Sequence, residues 1–344
     1  MNPYENLKPD KFWKKFSKEI VQIYEKEWKF DVDPSSKFAN FGSCFALNIE
    51  KKLTDINIIN TEEYPTNWPE IYSQFNYANY SARYGNIYNP KQFRQLFERA
   101  FNLKAPIDMV WGDSGKFIDP FRPGLGWRIL DMQEFNLLHS NHMRAIRDIP
   151  KSADVIIFTL GLNETWQDVR DGFCYPSCPG TIAGTFETYK HELKTLSIKD
   201  LIEDLNYAID LLSNLNDKLK FILTLSPVPM VATASSLNVA EANVNSKASL
   251  KLAIQDIVNN NKNVDYFPSY DLLQLIGSTQ NIFDTNFRSI KESAVDLIMD
   301  IFKLKIGINS ENLKPVIEEP NTTILTSDKL VEIECEEEFN NRFN

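Results

Sequence analysis

Gly42-Ser43-Cys44 stands where one kind of local pattern ends and another begins. Residues 37–41 read as a short strand running into a glycine. Residues 46–53 read as a helix, with Ala46, Ile49 and Leu53 at helical spacing and Glu50, Lys51 and Lys52 facing water. A hydroxyl at such a turn projects from the carboxyl edge of a sheet, and the unpaired N–H groups of the helix start are aimed at the same place. That setting suits a nucleophile and the oxyanion its attack creates. Serine is also a favoured helix N-cap, and spacing alone favours that role for Ser43.

Other reactive side chains are sparse. Cys174 and Cys178 share the stretch CYPSCPG, but no second cysteine pair or histidine pair stands at zinc-binding spacing, so they read as two partly buried thiols in a loop. The three histidines are His139, His142 and His191. His139 and His142 lie three apart on a predicted helix with no further ligands in sight, which makes them surface or structural residues. No metal and no cofactor is expected, and no nucleotide-binding motif is present.

These residues need a scaffold, and the chain spells out an alternation of strands and helices. Residues 153–160 form a continuous apolar run ending at Gly161, as a buried parallel strand would. Residues 220–225 and 264–267 read as further strands, ending at Ser226-Pro227 and at Pro268. Helices are predicted over 90–101, 137–147, 199–215, 241–260 and 291–304, with another around 11–27. Residues 60–88 and 102–136 read as loops, the second stretch with short strands. The pattern predicts an α/β fold with a mostly parallel sheet. Sites in such sheets lie beyond the carboxyl ends of the strands. The candidate segments are therefore 42–46, 161–166, 226–230 and 268–271.

The totals exclude several functions. The 344 residues are 43% hydrophobic and 24% charged, ordinary for a globular chain, and the net charge is −10. A protein that grips phosphate backbones should be basic, so nucleic acid is an unexpected partner. No run reaches membrane-spanning length, the first residues do not form a secretory signal, and four cysteines in such a chain are no disulfide scaffold. A cytoplasmic protein is expected. Residues 1–36 read as a lead-in, 37–314 as the main domain and 315–344 as an acidic tail with weak β-like alternation around Val331, Ile333 and Cys335.

GSCFA at 42–46 is the namesake motif of the GSCFA family, which belongs with the SGNH (GDSL-like) hydrolases. Further stretches resemble family segments in family order: SARYGNIY at 81–88, DPFRP at 119–123, ADVIIFTLGLNETW at 153–166, YPSCPG at 175–180, LTLSPVPM at 223–230, SKASL at 246–250, VDYFPSYDLL at 264–273 and AVDLIM at 294–299. The resemblance covers roughly residues 37 to 304. It implies a flavodoxin-like three-layer α/β/α sandwich.

Carried over by position, the resemblance implies Ser43 as nucleophile. It also implies an oxyanion hole made from the Ser43 N–H, the Gly85 N–H and the Asn163 side chain. Gly85 can equally serve a turn, and Asn163 a cap. Glu164 and Trp166 receive no catalytic step. The three blocks together place Ser43 open to solvent at the sheet edge, with Gly85 and Asn163 close to it. Asp284 matches the orienting carboxylate, yet the position of the family's histidine is Ser289, and serine is no base at neutral pH. The resemblance thus implies an SGNH-type serine esterase or acyltransferase. Its substrate would be a small-molecule or glycan ester, with O-acyl groups of a carbohydrate, O-acetyl first among them, as the reacting part. Ser289 supports an alternative, a non-catalytic member that binds a glycan or a partner. A third reading makes Cys44 the nucleophile, its thiol acidified by the helix start.

Overall fold

The computed structural model describes residues 2–16, 27–61, 80–113, 115–125, 129, 131–278 and 281–308. In chain order the main elements are β1 (Lys37–Phe41), α1 (Cys44–Lys52), β2 (Asn57–Ile58), α2 (Pro90–Ala100), β3 (Trp111–Asp113), β4 (Lys116–Ile118) and α3 (Met132–Ser152). They continue with β5 (Val155–Leu160), β6 (Glu164–Asp168), β7 (Cys174–Tyr175), β8 (His191–Thr195), α4 (Ile198–Ser213), β9 (Lys220–Leu225), α5 (Val239–Asn260), β10 (Val264–Phe267), α6 (Ser269–Gly277) and α7 (Glu292–Lys305).

Five strands form one sheet in the order β2-β1-β5-β9-β10, and every neighbouring pair is parallel. Residues of each strand alternate between two apolar layers, as the two-residue period requires. Ala39, Phe41, Ile156, Phe158, Phe221 and Leu223 face one layer, which α2, α3, α4 and α5 complete. Phe38, Val155, Ile157, Ile222 and Phe267 face the other, completed by α1, α6 and α7. The chain is the expected three-layer α/β/α sandwich. Counting core strands only, their order is 2-1-3-4-5, the flavodoxin-like winding. The chain leaves β1 toward one edge and returns at β5 on the other side, so the topological switch point lies between β1 and β5. Ser43 follows the first of these strands and Gly161 the second.

Several helices start at side-chain caps. Asn89 accepts the Gln92 N–H, Asp131 that of Glu134, and Asn238 that of Glu241, while Ser197 and Asp200 form a capping box. Helix α3 begins five residues before the predicted 137, at the Asp131 cap, and its first turn already buries Phe135 against Leu138. Two features differ from expectation. A second, antiparallel sheet, β7-β6-β8, follows the switch point, in strands as polar as Glu164-Thr-Trp-Gln-Asp168. Helix α6 occupies a segment for which no element is predicted. Of the helix predicted at 11–27, the described part holds a 3-10 turn (Pro9–Lys11) and a helical turn (Trp13–Phe16); residues 17–26 lie outside the described residues, as do 62–79 and the acidic tail. No helix among the described residues is long and apolar enough to cross a membrane.

Candidate active site at the switch point

The turn after β1 admits only glycine at its first position. Gly42 has φ +146°, and a Cβ there would sit 2.9 Å from the Ala46 Cβ, the Thr159 Cβ and the Thr159 carbonyl oxygen. Ser43 follows in the N-cap position of α1 with extended backbone (φ −116°, ψ −154°), yet its side chain makes no cap hydrogen bond. The capping role that spacing favours is therefore not filled by this hydroxyl. Its Oγ lies 3.8 Å from where a Cβ on Gly161 would stand, so glycine at 161 leaves space beside the oxygen.

A strap of residues 81–88 lies across the ends of β1 and β5. Ser81 Oγ accepts the Asn40 N–H (2.8 Å), the Tyr84 hydroxyl donates to the Asn40 carbonyl (2.9 Å), and the Ile87 N–H donates to the Gly42 carbonyl (2.9 Å). The Tyr88 carbonyl accepts the N–H groups of both Gly161 (2.7 Å) and Leu162 (3.1 Å). These bonds satisfy strand-end groups that would otherwise meet water. They also correct one expectation: Ser43 is at the carboxyl edge, but it is 3% exposed rather than open.

Gly85 lies on this strap in left-handed backbone, φ +78°, two residues before Ile87. Chain length plus the 2.9 Å Ile87–Gly42 hydrogen bond places it within about 10 Å of the Gly42 carbonyl. The DPFRP segment braces it. A Cβ at Gly85 would be 3.5 Å from the Arg122 Cα and Cγ, and Arg122 donates to the Asp119 carboxylate (2.9 Å) and to the Arg83 carbonyl (3.2 Å). Burial pushes the Asp119 carboxyl up, but the guanidinium charges of Arg122 and Arg99 outweigh it and hold the group far below the usual range.

Asn163 is buried two residues beyond Gly161. Its backbone N–H donates to Ser246 Oγ (2.8 Å), its carbonyl accepts the Leu196 N–H (2.8 Å), and its side-chain amide donates to the Leu196 carbonyl (3.3 Å). An amide carries two N–H bonds, so one is left for a ligand. Next to Ser246, the Lys247 ammonium, 2% exposed, donates to the carbonyls of Gly161 (2.8 Å) and Val228 (2.9 Å). Sequence reasoning quoted SKASL without giving it a role. The available signal was a lysine on the apolar stripe of α5, in phase with Leu250 and Ile254. Lys247 and Ser246 together fix the turn after β5 and tie it to the loop after β9.

The last block is different. Asp284 is exposed, and its N–H donates to the Ser289 carbonyl (2.9 Å). Ser289 Oγ accepts from the Asn286 amide (2.8 Å), and the Ser289 N–H returns to Asn286 Oδ1 (2.8 Å). The turn meets the rest of the site through Arg288, which donates to the Pro229 carbonyl (3.1 Å). None of the three histidines lies in this block. His139 stacks on Phe135, and His142 is fully buried on the same helix. His191 pairs with Asp168, at the far end of β6 from Glu164. Four residues of strand separate those ends by about 13 Å.

His191, Asp168 and Asp108 do approach one another within 4.8 Å, as metal ligands would. Arg170 occupies that cluster, donating to Asp108 (2.6 Å) and to Asp168 Oδ1 (2.9 Å). Burial lowers the His191 pKa, with Asp168 opposing. Cys174 and Cys178 are held as neutral thiols, pushed by burial up to about 12 and about 11.

Beyond Tyr88 a cleft of about 290 Å³ opens between the β6-β7-β8 sheet and residues 230–234. Tyr88 is the wall it shares with the switch point, since the same ring lies 3.3 Å from the Cβ position at Gly161 that is 3.8 Å from Ser43 Oγ. No curated protein and no solved structure matches the chain. The profile of the GSCFA family matches residues 37–302, and those residues hold Ser43, Gly85, Asn163, the brace at 119–123, Ser246, Lys247 and the Asp284 turn; the chain belongs to the GSCFA family.

Proposed function

We propose that this protein is an SGNH-type serine esterase or acyltransferase acting on O-acyl groups, with a carbohydrate as the alcohol. The observation that carries the reading is the Ser43 hydroxyl. It stands at the switch point, in an N-cap position it does not use for capping, beside a gap kept by Gly161. In the reaction Ser43 Oγ attacks the ester carbonyl, and the Ser43 N–H, the Gly85 N–H and the Asn163 amide receive the oxyanion. Collapse of the tetrahedral species expels the alcohol and leaves an acyl-serine. Water or a second alcohol then takes the acyl group, so hydrolysis and transfer share every group named. The proton of Ser43 meets no histidine in the last block, and turnover is accordingly slow.

The second reading, a non-catalytic binder of a glycan or partner, is favoured by one observation: Ser289 fills the base position and its hydroxyl is held by Asn286. A screen of short acyl esters and acetylated glycans with wild type, Ser43→Ala and Cys44→Ala decides among the readings. Turnover that disappears in Ser43→Ala and persists in Cys44→Ala is the expected result. Equal turnover in wild type and Ser43→Ala overturns the proposal, and selective loss in Cys44→Ala transfers the role to the thiol. Glycan binding with no turnover in any form supports the second reading.

A further inference from the structure

We infer that the cleft beyond Tyr88 holds the acyl chain of the ester, and that this chain is longer than acetyl. The inference rests on reading Ser43 as the nucleophile. Tyr88 lines the cleft on the side of the hydroxyl, and Leu162, Trp166, Leu193, Met230 and Ala232 form further parts of its walls. A carbonyl carbon at Ser43 Oγ directs its acyl substituent and its departing alcohol apart, and the largely apolar cleft on the far side of the Tyr88 ring is placed to take one of the two. The chemistry of the walls selects the acyl chain. The ionisable side chains on the cleft are Glu164, Tyr88 and Cys178. The Glu164 carboxylate is clasped across the cleft by the Thr233 hydroxyl, 2.9 and 2.8 Å from its two oxygens. Burial keeps the Cys178 thiol neutral. Among the described residues no lysine, arginine or histidine lines it to hold a phosphate or carboxylate. The size argues for a chain. A cleft of about 290 Å³ is far larger than an acetyl methyl needs.

The test uses p-nitrophenyl acetate, butyrate and hexanoate with the full chain and with Ala232→Trp. Ala232 is exposed on the rim, so the larger ring fills the cleft without entering the core. Because turnover can be slow, binding of the same three esters is measured in parallel by calorimetry, on Ser43→Ala and on Ser43→Ala/Ala232→Trp. The expected result is a gain of roughly threefold to fourfold per buried methylene, in kcat/KM and in affinity alike. Ala232→Trp should lower the hexanoate-to-acetate ratio by about tenfold or more. Acetate as the best substrate, with a ratio unchanged in Ala232→Trp, overturns the acyl cleft while Ser43-dependent turnover keeps the esterase reading. Equal weakening of all three esters by Ala232→Trp also overturns it and assigns the cleft to the alcohol. Chain-length-dependent binding that Ala232→Trp removes, with no turnover in wild type, keeps the cleft assignment and removes the esterase reading.

Discussion

At the end of β1 the backbone is tied down on all sides. Asn40 gives its N–H to Ser81 and takes the Tyr84 hydroxyl on its carbonyl, Gly42 has no space for a methyl group, and Ser43 is 3% exposed. In the turn before α7 the side chains of residues 284–287 face water, Phe287 is 85% exposed with φ +58°, and Asn286 and Ser289 bond mainly to each other. The first turn is held by the sheet and by the strap; the second is closed by hydrogen bonds between its own residues, and Arg288 links it to Pro229. In the proposed chemistry the first turn carries nucleophile and oxyanion donors, and the second carries proton transfer. At Gly42 in the first turn any added side chain meets the core. Side chains of the second turn face water, and Ser289 stands where the family resemblance implies a histidine.

The comparison breaks most readily at Gly42. Gly42→Ala places a methyl group 2.9 Å from three atoms, two of them in β5 or its backbone, at a φ that L-residues avoid. The expected loss is more than about 4 kcal/mol, read as failure to fold or a collapsed urea midpoint. Asp284→Ala, in the exposed turn, should stay within about 0.5 kcal/mol. Similar losses for both would erase the distinction between the turns.

Asp119→Asn tests whether the brace behind Gly85 belongs to the rigid half. It leaves the Arg122 and Arg99 charges buried without their carboxylate, for an expected cost of about 3–5 kcal/mol at pH 7. The pH dependence has a definite sign. The folded pKa of Asp119 is depressed, so its contribution is complete above the unfolded value of about 3.9 and is lost as pH falls below it toward the folded value. Urea midpoints at pH 7 and pH 3 should therefore lie further apart for wild type than for Asp119→Asn. A parallel shift of both proteins would show that the ion pair adds no stability.

Ser289→His restores the base in the exposed turn. General-base assistance is worth about 10²–10⁴-fold, and the variant should gain activity toward short esters within that range, with a new pH limb near about 6.5. Asn286→Asp in the same background offers a carboxylate to orient the ring. Fast wild-type turnover that depends on His139, His142 or His191 would instead place the base elsewhere.

Much of this contrast was legible in the chain. Val155-Ile-Ile-Phe-Thr-Leu160 could be read as a central parallel strand because both its faces are covered, and the strand–glycine–helix passage at 37–53 because its period changes from two to 3.6. The strap was not legible. Its bonds run to backbone groups at strand ends, and such bonds impose no side-chain period. Strands β6 to β8 escaped for a related reason: they are short, polar and paired on a small sheet, where alternation is weak. Lys247 showed only as a charge out of place on an apolar stripe, and its two carbonyl partners come from loops 86 and 19 residues away.

The smallest effect bears most directly on Ser43. Among the described residues two serines occupy N-cap positions, and they use their hydroxyls differently. Ser197 Oγ accepts the Asp200 N–H (3.2 Å) while Asp200 accepts the Ser197 N–H (2.9 Å), a complete capping box at the start of α4. Ser43 makes no such bond at the start of α1. Replacing a working cap by alanine costs about 1 kcal/mol, whereas removing a hydroxyl that caps nothing should stay within about 0.5 kcal/mol. Ser197→Ala is therefore expected to lower the urea midpoint, and Ser43→Ala to leave it nearly unchanged while abolishing ester turnover. A midpoint loss in Ser43→Ala as large as that in Ser197→Ala would make the hydroxyl a cap in solution. The nucleophile reading would then lose the observation that carries it, because a serine committed to its own helix has no reason to face the gap at Gly161.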